Sequence, residues 1–239
     1  MNIISVFVIA DLHLSHATDK PMDIFGEKWN NHTEKIKKNW HSTVKEDDTV
    51  VIPGDVSWGM KNEDTADDFL FLESLPGKKI ISKGNHDFWW QTLKKLNNFT
   101  KELGIESVKF LHNNSYLCED FIICGTRGWF VENNYSPEDE KIVNREAERL
   151  KLSIKAGKSL LGDNPDKEIV CFLHYPPVYG GIECEKICDI LREQKIKRCF
   201  YGHLHTVIDD KLTNRIGQTQ LKLISADRLN FKPFLIKPD

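Results

Sequence analysis

No two cysteines in this chain stand in a C-x-x-C pair, no uncharged run is long, and neither sign of charge predominates. Each absence closes off a class of protein. The six cysteines, Cys118, Cys124, Cys171, Cys184, Cys188 and Cys199, sit mostly in or beside apolar runs. Without metal or redox spacing they read as reduced thiols used as small core residues. No stretch approaches the roughly 18 apolar residues of a membrane-spanning helix. The start, MNIISVFVIADLH, lacks the basic flank and small-residue cleavage site of a signal peptide. The expected location is therefore the cytoplasm. A net charge of −3, with both signs interspersed, argues against a chain that lives on nucleic acid or on an anionic membrane. A local basic patch remains compatible with it.

What is present is the material of a packed core: 40% hydrophobic and 10% aromatic residues over 239 positions. There is no internal repeat, low-complexity tract or linker, so one domain over residues 1–239 is expected. Short apolar runs alternate with amphipathic helical patterns, the signature of an α/β fold. The runs are IISVFVIA (3–10), TVVIP (49–53), KIIS (79–82), IVCFL (169–173) and RCFY (198–201). They are short, β-branched and nearly continuous, as expected of strands buried on both faces.

Trp29, Thr33, Ile36, Trp40 and Val44 share one helical face, and so do Leu93, Leu96, Thr100 and Leu103. Ser136 caps a third helix with Pro137 in its first turn; Val143, Ala147, Leu150 and Ile154 follow, and Gly157 is the expected stop. Cys184, Ile187, Cys188 and Leu191 make a fourth stripe. Residues 107–125 read as two or three antiparallel strands, and 206–237 as a closing set of strands. Two sheets with helices outside them is the simplest arrangement for so many strands.

Five predicted strands each end in a residue able to bind a metal. Asp11-Leu12-His13 follows the first run and Gly54-Asp55 the second. Lys83-Gly84-Asn85-His86-Asp87 follows the third, His174 the fourth, and Gly202-His203-Leu204-His205 the fifth. If the strands are parallel, their C-terminal ends share one sheet edge, where α/β proteins place ligands. The glycines at 54, 84 and 202 permit sharp turns and close approach there. The donors mix imidazole nitrogen with carboxylate and amide oxygen and include no thiolate. That set suits Mn²⁺, Fe²⁺ or Zn²⁺ and argues against an iron–sulfur cluster or a structural cysteine site. The candidates Asp11, His13, Asp55, Asn85, His174, His203 and His205 exceed the four of a tetrahedral site. Two cations sharing a carboxylate would use them all.

In this order the motifs D-x-H, G-D, G-N-H-D, a lone His after a strand, and G-H-x-H resemble those of the calcineurin-like metallophosphoesterases, from residue 11 to 205. The resemblance implies a four-layer αββα sandwich of two mixed β-sheets flanked by helices. It implies that Asp11, His13 and His205 hold one metal, that Asn85, His174 and His203 hold another, and that Asp55 bridges them. His86 would face the substrate, stabilising phosphoryl charge or protonating the leaving oxygen. The reaction implied is phosphate-ester hydrolysis by hydroxide shared between two divalent ions, with no covalent phosphoenzyme. The second motif departs from the family pattern, reading Gly54-Asp55-Val56-Ser57-Trp58-Gly59 with its later glycine one position late. The loop approaching the substrate is therefore expected to be unusual.

Some residues carry two readings. Asp87 either orients His86 or is an ordinary turn carboxylate. His16 faces the cleft or is a loop histidine; Arg127 grips a phosphate or lies on the surface. Trp58, Phe88, Trp89, Trp90, Trp129, Tyr175 and Tyr179 form a stacking wall for a nucleobase or pack loops onto the scaffold. His32, His41 and His112 have no partner in the pattern and are read as structural. The expected substrate is a small phosphodiester rather than a monoester, because His86 offers the acid an alkoxide leaving group wants. The rivals are a nuclease with the same two-metal site, which would need a basic track, and a metal-binding scaffold without turnover.

Overall fold

The apolar runs form strands covered on both faces, as their near-continuous hydrophobicity requires. The structure, a computed structural model, describes residues 4–131, 134–207 and 209–238. Ile3, at the head of the first predicted run, and Ile208, in the predicted closing set, lie outside them. The first half of the chain comprises β1 (Val6–Val8), α1 (His32–His41), β2 (Thr49–Pro53), α2 (Ala66–Ser74), β3 (Lys78–Ser82), α3 (Leu93–Glu102) and β4 (Val108–Phe110). There follow β5 (Tyr116–Cys118), β6 (Phe121–Thr126), α4 (Pro137–Asp163), β7 (Glu168–Leu173), β8 (Val178–Tyr179) and β9 (Ile182–Glu183). Last come α5 (Glu185–Glu193), β10 (Arg198–Tyr201), β11 (Arg215–Ile216), β12 (Thr219–Leu223) and β13 (Phe234–Ile236).

One sheet runs β13-β1-β2-β3-β4 and the other β11-β12-β10-β7-β6-β5; β8 and β9 form a separate hairpin. Both large sheets are mixed. In the first, β1 to β4 are parallel and β13 is antiparallel. In the second, β6, β7, β10 and β12 are parallel, with β5 and β11 antiparallel at the edges. The period-two alternation of strand side chains splits the core into three layers. Val6, Val8, Val51 and Ile80 meet Ile123, Val170, Phe172 and Phe200 between the sheets. Phe7, Val50, Ile52 and Ile81 point the other way, onto Ile36 and Trp40 of α1, Phe69 and Leu72 of α2, and Leu96 of α3. Ile122, Cys171, Leu173, Cys199 and Tyr201 pack on Ala147, Leu150 and Ile154 of α4 and Ile187 and Leu191 of α5. The result is the expected four-layer αββα sandwich. Each fully buried aliphatic or aromatic side chain stabilises it by about 1.5–3 kcal/mol. Four of the six free cysteines are buried in these layers.

Several local expectations differ from the structure. Helix α4 begins as expected: Ser136 Oγ accepts from the Asp139 N–H at 3.2 Å, and the Asp139 carboxylate accepts from the Ser136 N–H at 3.0 Å. It does not stop at Gly157 but continues to Asp163. Gly157 is a packing glycine, for a Cβ there would run into Cys124 Sγ on β6. In 107–125 only β5 and β6 pair antiparallel; β4 joins the other sheet, parallel to β3. Helix α2 has no counterpart among the expected helices, and Trp29 lies in a 3-10 turn ahead of α1. Among the described residues no helix is long and apolar enough to cross a membrane.

The two sheets meet at one edge. Beyond β1, the Ala10 N–H donates to Ile224 C=O at 2.9 Å, and the Ala226 N–H donates to Ala10 C=O at 2.8 Å. The exit of β1 is thereby stitched to the exit of β12, on the edge where the predicted site residues emerge.

Candidate metal centre

Asp11 and His13 follow β1, Asp55 follows β2, Asn85 follows β3, His174 follows β7, and His203 and His205 follow β10. These strands run parallel within each sheet, so their tips leave on a common edge. The chain turns sharply there: Asp11, His13, Asp55 and His203 have φ of 59°, 47°, 52° and 70°. Left-handed backbone costs a non-glycine residue about 1–2 kcal/mol, and here it falls on residues whose side chains converge. Close approach also dictates Gly202. A Cβ there would lie 2.5 Å from Asp11 Oδ2 and 2.6 Å from Ala10 Cβ.

Two groups of donors result. Atoms of Asp11, His13 and His205 all lie within 4.8 Å of one another, and so do atoms of Asp55, His174 and His203. Asn85 joins the second group, its Oδ1 lying 2.6 Å from His174 Nε2 and 2.8 Å from His203 Nδ1. Asp55 faces both: its Oδ2 is 3.5 Å from His174 Nε2 and 3.8 Å from His13 Nε2.

Outer partners choose which imidazole nitrogen points inward. His174 Nδ1 donates to Pro53 C=O at 3.2 Å, leaving Nε2 for the cleft. His205 Nδ1 donates to Asp227 Oδ1 at 2.8 Å, leaving Nε2 facing His13 Nε2 at 3.3 Å. The Asp11 carboxylate accepts the His203 N–H at 3.0 and 2.9 Å.

Asp87 closes its own turn and reaches beyond it. Fully buried, it accepts the N–H of Asp55 at 2.9 Å, Val56 at 2.9 Å, Ser57 at 3.3 Å and Gly84 at 2.7 Å, and the Trp89 indole N–H at 3.1 Å. It fastens the loops after β2 and β3 to each other.

Burial decides the charge states. It pushes the carboxyls of Asp11 and Asp87 up to about 7 and that of Asp55 up to about 6. Burial likewise lowers His174 and His203 to about 3, and with the neighbouring imidazoles it holds His13 well below its ordinary range. At His205 burial is outweighed by Asp227, Asp11 and Asp55, and the ring is raised. Neutral imidazole lone pairs and carboxylates short of positive charge therefore crowd one buried spot. Divalent cations satisfy both, and nitrogen and oxygen donors without thiolate suit them. The residues present fit such ions.

The other predicted residues are placed as follows. The backbone N–H of His86 donates to Asp55 Oδ1 at 2.8 Å. Its half-buried ring lies 4.2 Å from the Trp58 ring and 5.7 Å from that of His13. Trp58, at the position where the second motif departs from its pattern, also stacks on His13 at 5.0 Å. His16 has its Nδ1 on the buried carboxylate of Asp68 at 2.7 Å and its ring against Phe71. Arg127 lies over the Trp129 ring at 4.9 Å and 3.9 Å from Glu146 Oε1, while its carbonyl accepts the His174 N–H at 3.0 Å. It flanks the cluster and is mostly buried, not a surface arginine. Trp89, Trp90 and Tyr175 are buried packing residues, whereas Phe88 is exposed. His32, also buried, donates from Nε2 to His13 C=O at 3.3 Å.

Sequence reasoning misses Asp227: it lies four residues past β12, whose sequence TQLKL alternates polar and apolar and lacks the continuous hydrophobicity that marks the other strands. Asp68 and Glu146 lie inside helices and carry no comparable signal.

With this geometry, comparison with known proteins defines the class. The profile of the calcineurin-like phosphoesterases matches residues 4–207. The chain belongs to that family and is a metal-dependent phosphoesterase that acts with divalent metal ions. Among solved structures it is similar to TT1561 of Thermus thermophilus, at 12% identity over 99% of both chains with a TM-score of 0.56. It is also similar to phosphopantetheinyl hydrolase (PptH) of Mycobacterium tuberculosis, at 14% identity over 98% of this chain and 96% of the other, with a TM-score of 0.54. At such identities these likenesses concern the fold. The Gene 66 protein of Mycobacterium phage L5 is 32% identical over 78 residues, which are 33% of this chain and 37% of that protein.

Proposed function

We propose that the chain hydrolyses a small phosphodiester at a pair of divalent cations. Asp11, His13 and His205 hold one cation, Asn85, His174 and His203 hold the other, and Asp55 contributes to both. The observation that carries this reading is the single oxygen, Asp55 Oδ2, lying within 3.8 Å of a nitrogen from each donor group. When bound, such ions supply Lewis acidity toward phosphoryl oxygen and lower the pKa of water. The nitrogen–oxygen donor set favours Mn²⁺, Fe²⁺ or Zn²⁺.

The chain's own residues do the rest. Asp227 and Pro53 C=O fix the ring tautomers, and Asp87 holds the loops carrying Asp55 and Asn85 in register. His86 stands at the rim with its ring partly open to solvent. Burial lowers its pKa, so the imidazolium, when formed, is the stronger acid toward a departing alkoxide, and activity is expected to fall as pH rises through that lowered value. In the diester the bridging oxygen of the departing alcohol takes that proton as its bond to phosphorus breaks. Trp58 wedges the His86 ring and limits its rotamers.

The test is turnover of bis-p-nitrophenyl phosphate against p-nitrophenyl phosphate with Mn²⁺, using Asp55→Asn as the control. The diester is expected to be the better substrate. The variant loses bound manganese, measured by elemental analysis, together with at least about a hundredfold of the rate. Full metal content and full rate in Asp55→Asn would overturn the assignment.

A further inference from the structure

Beside the metal centre lies a second cavity, of about 410 Å³, lined by Lys83, Trp90, Gln91, Thr92, Lys95, His112 and Arg149. That volume falls within the roughly 300–1,000 Å³ range of small-molecule pockets. Lys83, Lys95 and Arg149 bring positive charge to it from three places: the end of β3, the first turn of α3 and the middle of α4. No carboxylate lines it. The acids that act on Lys83 are Asp87 and Glu146, and both are committed. Asp87 holds the N–H groups of the two loops it fastens. Glu146 Oε1 is 2.8 Å from Arg149 Nη1 and 3.3 Å from Arg145 Nε, while Thr126 Oγ1 donates to its Oε2 at 2.6 Å. Among the described residues Lys83 and Lys95 have neither an ion-pair nor a hydrogen-bond partner. Trp90 contributes another unused donor. It is 9% exposed, and its buried indole N–H finds no acceptor.

The cavity is tied to the metal centre on two sides. Lys83 stands two residues before Asn85, so their Cα atoms are at most about 7 Å apart. Arg149 shares the Glu146 carboxylate with Arg127, whose carbonyl holds the backbone N–H of His174. A molecule with one group at the cations can therefore reach this pocket with another.

We propose that the cavity is a subsite for a second phosphoryl group of the substrate, so that the enzyme acts on small bisphosphorylated molecules. The proposal rests on the phosphoesterase reading above and narrows it. Two lysines, an arginine and a histidine from separate elements surround a volume rather than a plane. That arrangement suits the tetrahedral oxygens of phosphate better than a flat carboxylate, which a single guanidinium fork would serve.

The experiment uses the manganese-loaded protein and p-nitrophenyl phosphodiesters of straight-chain diols of graded length, each with its far hydroxyl free (the monophosphate) or phosphorylated (the bisphosphate). The wild type is expected to prefer the bisphosphate by about tenfold or more in kcat/KM, the contribution of one charge-assisted hydrogen bond, with a maximum at one chain length. Lys95→Glu is expected to abolish that preference. Lys94→Glu, next to it but outside the cavity, keeps it. No preference in the wild type, or an undiminished one in Lys95→Glu, overturns the proposal. If no compound is hydrolysed, the phosphodiesterase reading fails, and calorimetric Kd values for the same pairs still decide the subsite by the same two criteria. A Lys95-dependent gain in affinity for a short DNA or RNA strand, with none for the bisphosphates, overturns it in favour of a nucleic-acid track.

Discussion

At the scale of single residues, the hydrogen bond from His205 Nδ1 to Asp227 selects the nitrogen that faces the cleft. Asp227→Asn keeps the shape of that partner and removes its charge. Such outer partners are worth about 10–100-fold in metal affinity. Manganese titration of the variant is expected to show a loss of that size, with much of the rate returning at saturating metal. Unchanged affinity would leave Asp227 a purely structural contact. The residue also shows how far a sequence can be read. Asp11, Asp55, Asn85, His174, His203 and His205 are legible because each follows an apolar run. Asp227 also emerges beyond a strand, but that strand, in QLKLISA, alternates and reads as an edge hairpin, so the rule does not mark it. Asp87 is legible as a residue but not as a clamp, because a five-donor site assembled from two loops has no linear signature.

At the scale of elements, α4 spans 27 residues and crosses β6 where Gly157 meets Cys124. Gly157→Ala must push the helix off the sheet and is expected to destabilise the protein by about 1–3 kcal/mol. Gly162→Ala, where nothing lies within 4 Å of the added carbon, is expected to stabilise by up to about 1 kcal/mol through helix propensity. Equilibrium denaturation of the two variants, moving in opposite directions, checks both signs. A glycine within a helical pattern reads equally well as a stop or as a contact, and only the neighbouring sheet separates the two. Helix α2 is illegible for a related reason. Its nine residues, ADDFLFLES, bury an aspartate, which pattern reading assigns to solvent. The reading of 107–125 as two or three antiparallel strands leaves β4 undecided, because three residues carry no record of which sheet they join.

At the scale of the whole molecule, the donors are divided between the sheets. Asp11, His13, Asp55 and Asn85 come from the first, and His174, His203 and His205 from the second. Cations held as proposed would cross-link the two halves of the sandwich and link metal binding to folding. At a hundredfold excess over Kd a bound ion adds about 2.7 kcal/mol, worth roughly 2–4 °C in Tm for each kcal/mol in a chain of this size. Scanning calorimetry is expected to show a rise of several degrees on adding Mn²⁺ to chelator-treated protein, and no rise in Asp55→Asn. This architecture is the most legible feature of all, since parallel strands with polar tips admit few arrangements. The division of donors also sets where the chain can change length. Inserting one residue before a donor displaces it by about 3.3 Å along its strand, whereas metal–ligand distances tolerate about 0.2 Å. Loops on the far rim, where the strands begin, carry no such tolerance limit. Growth and shrinkage among relatives of this chain should accumulate there, leaving the distance from each strand to its donor fixed.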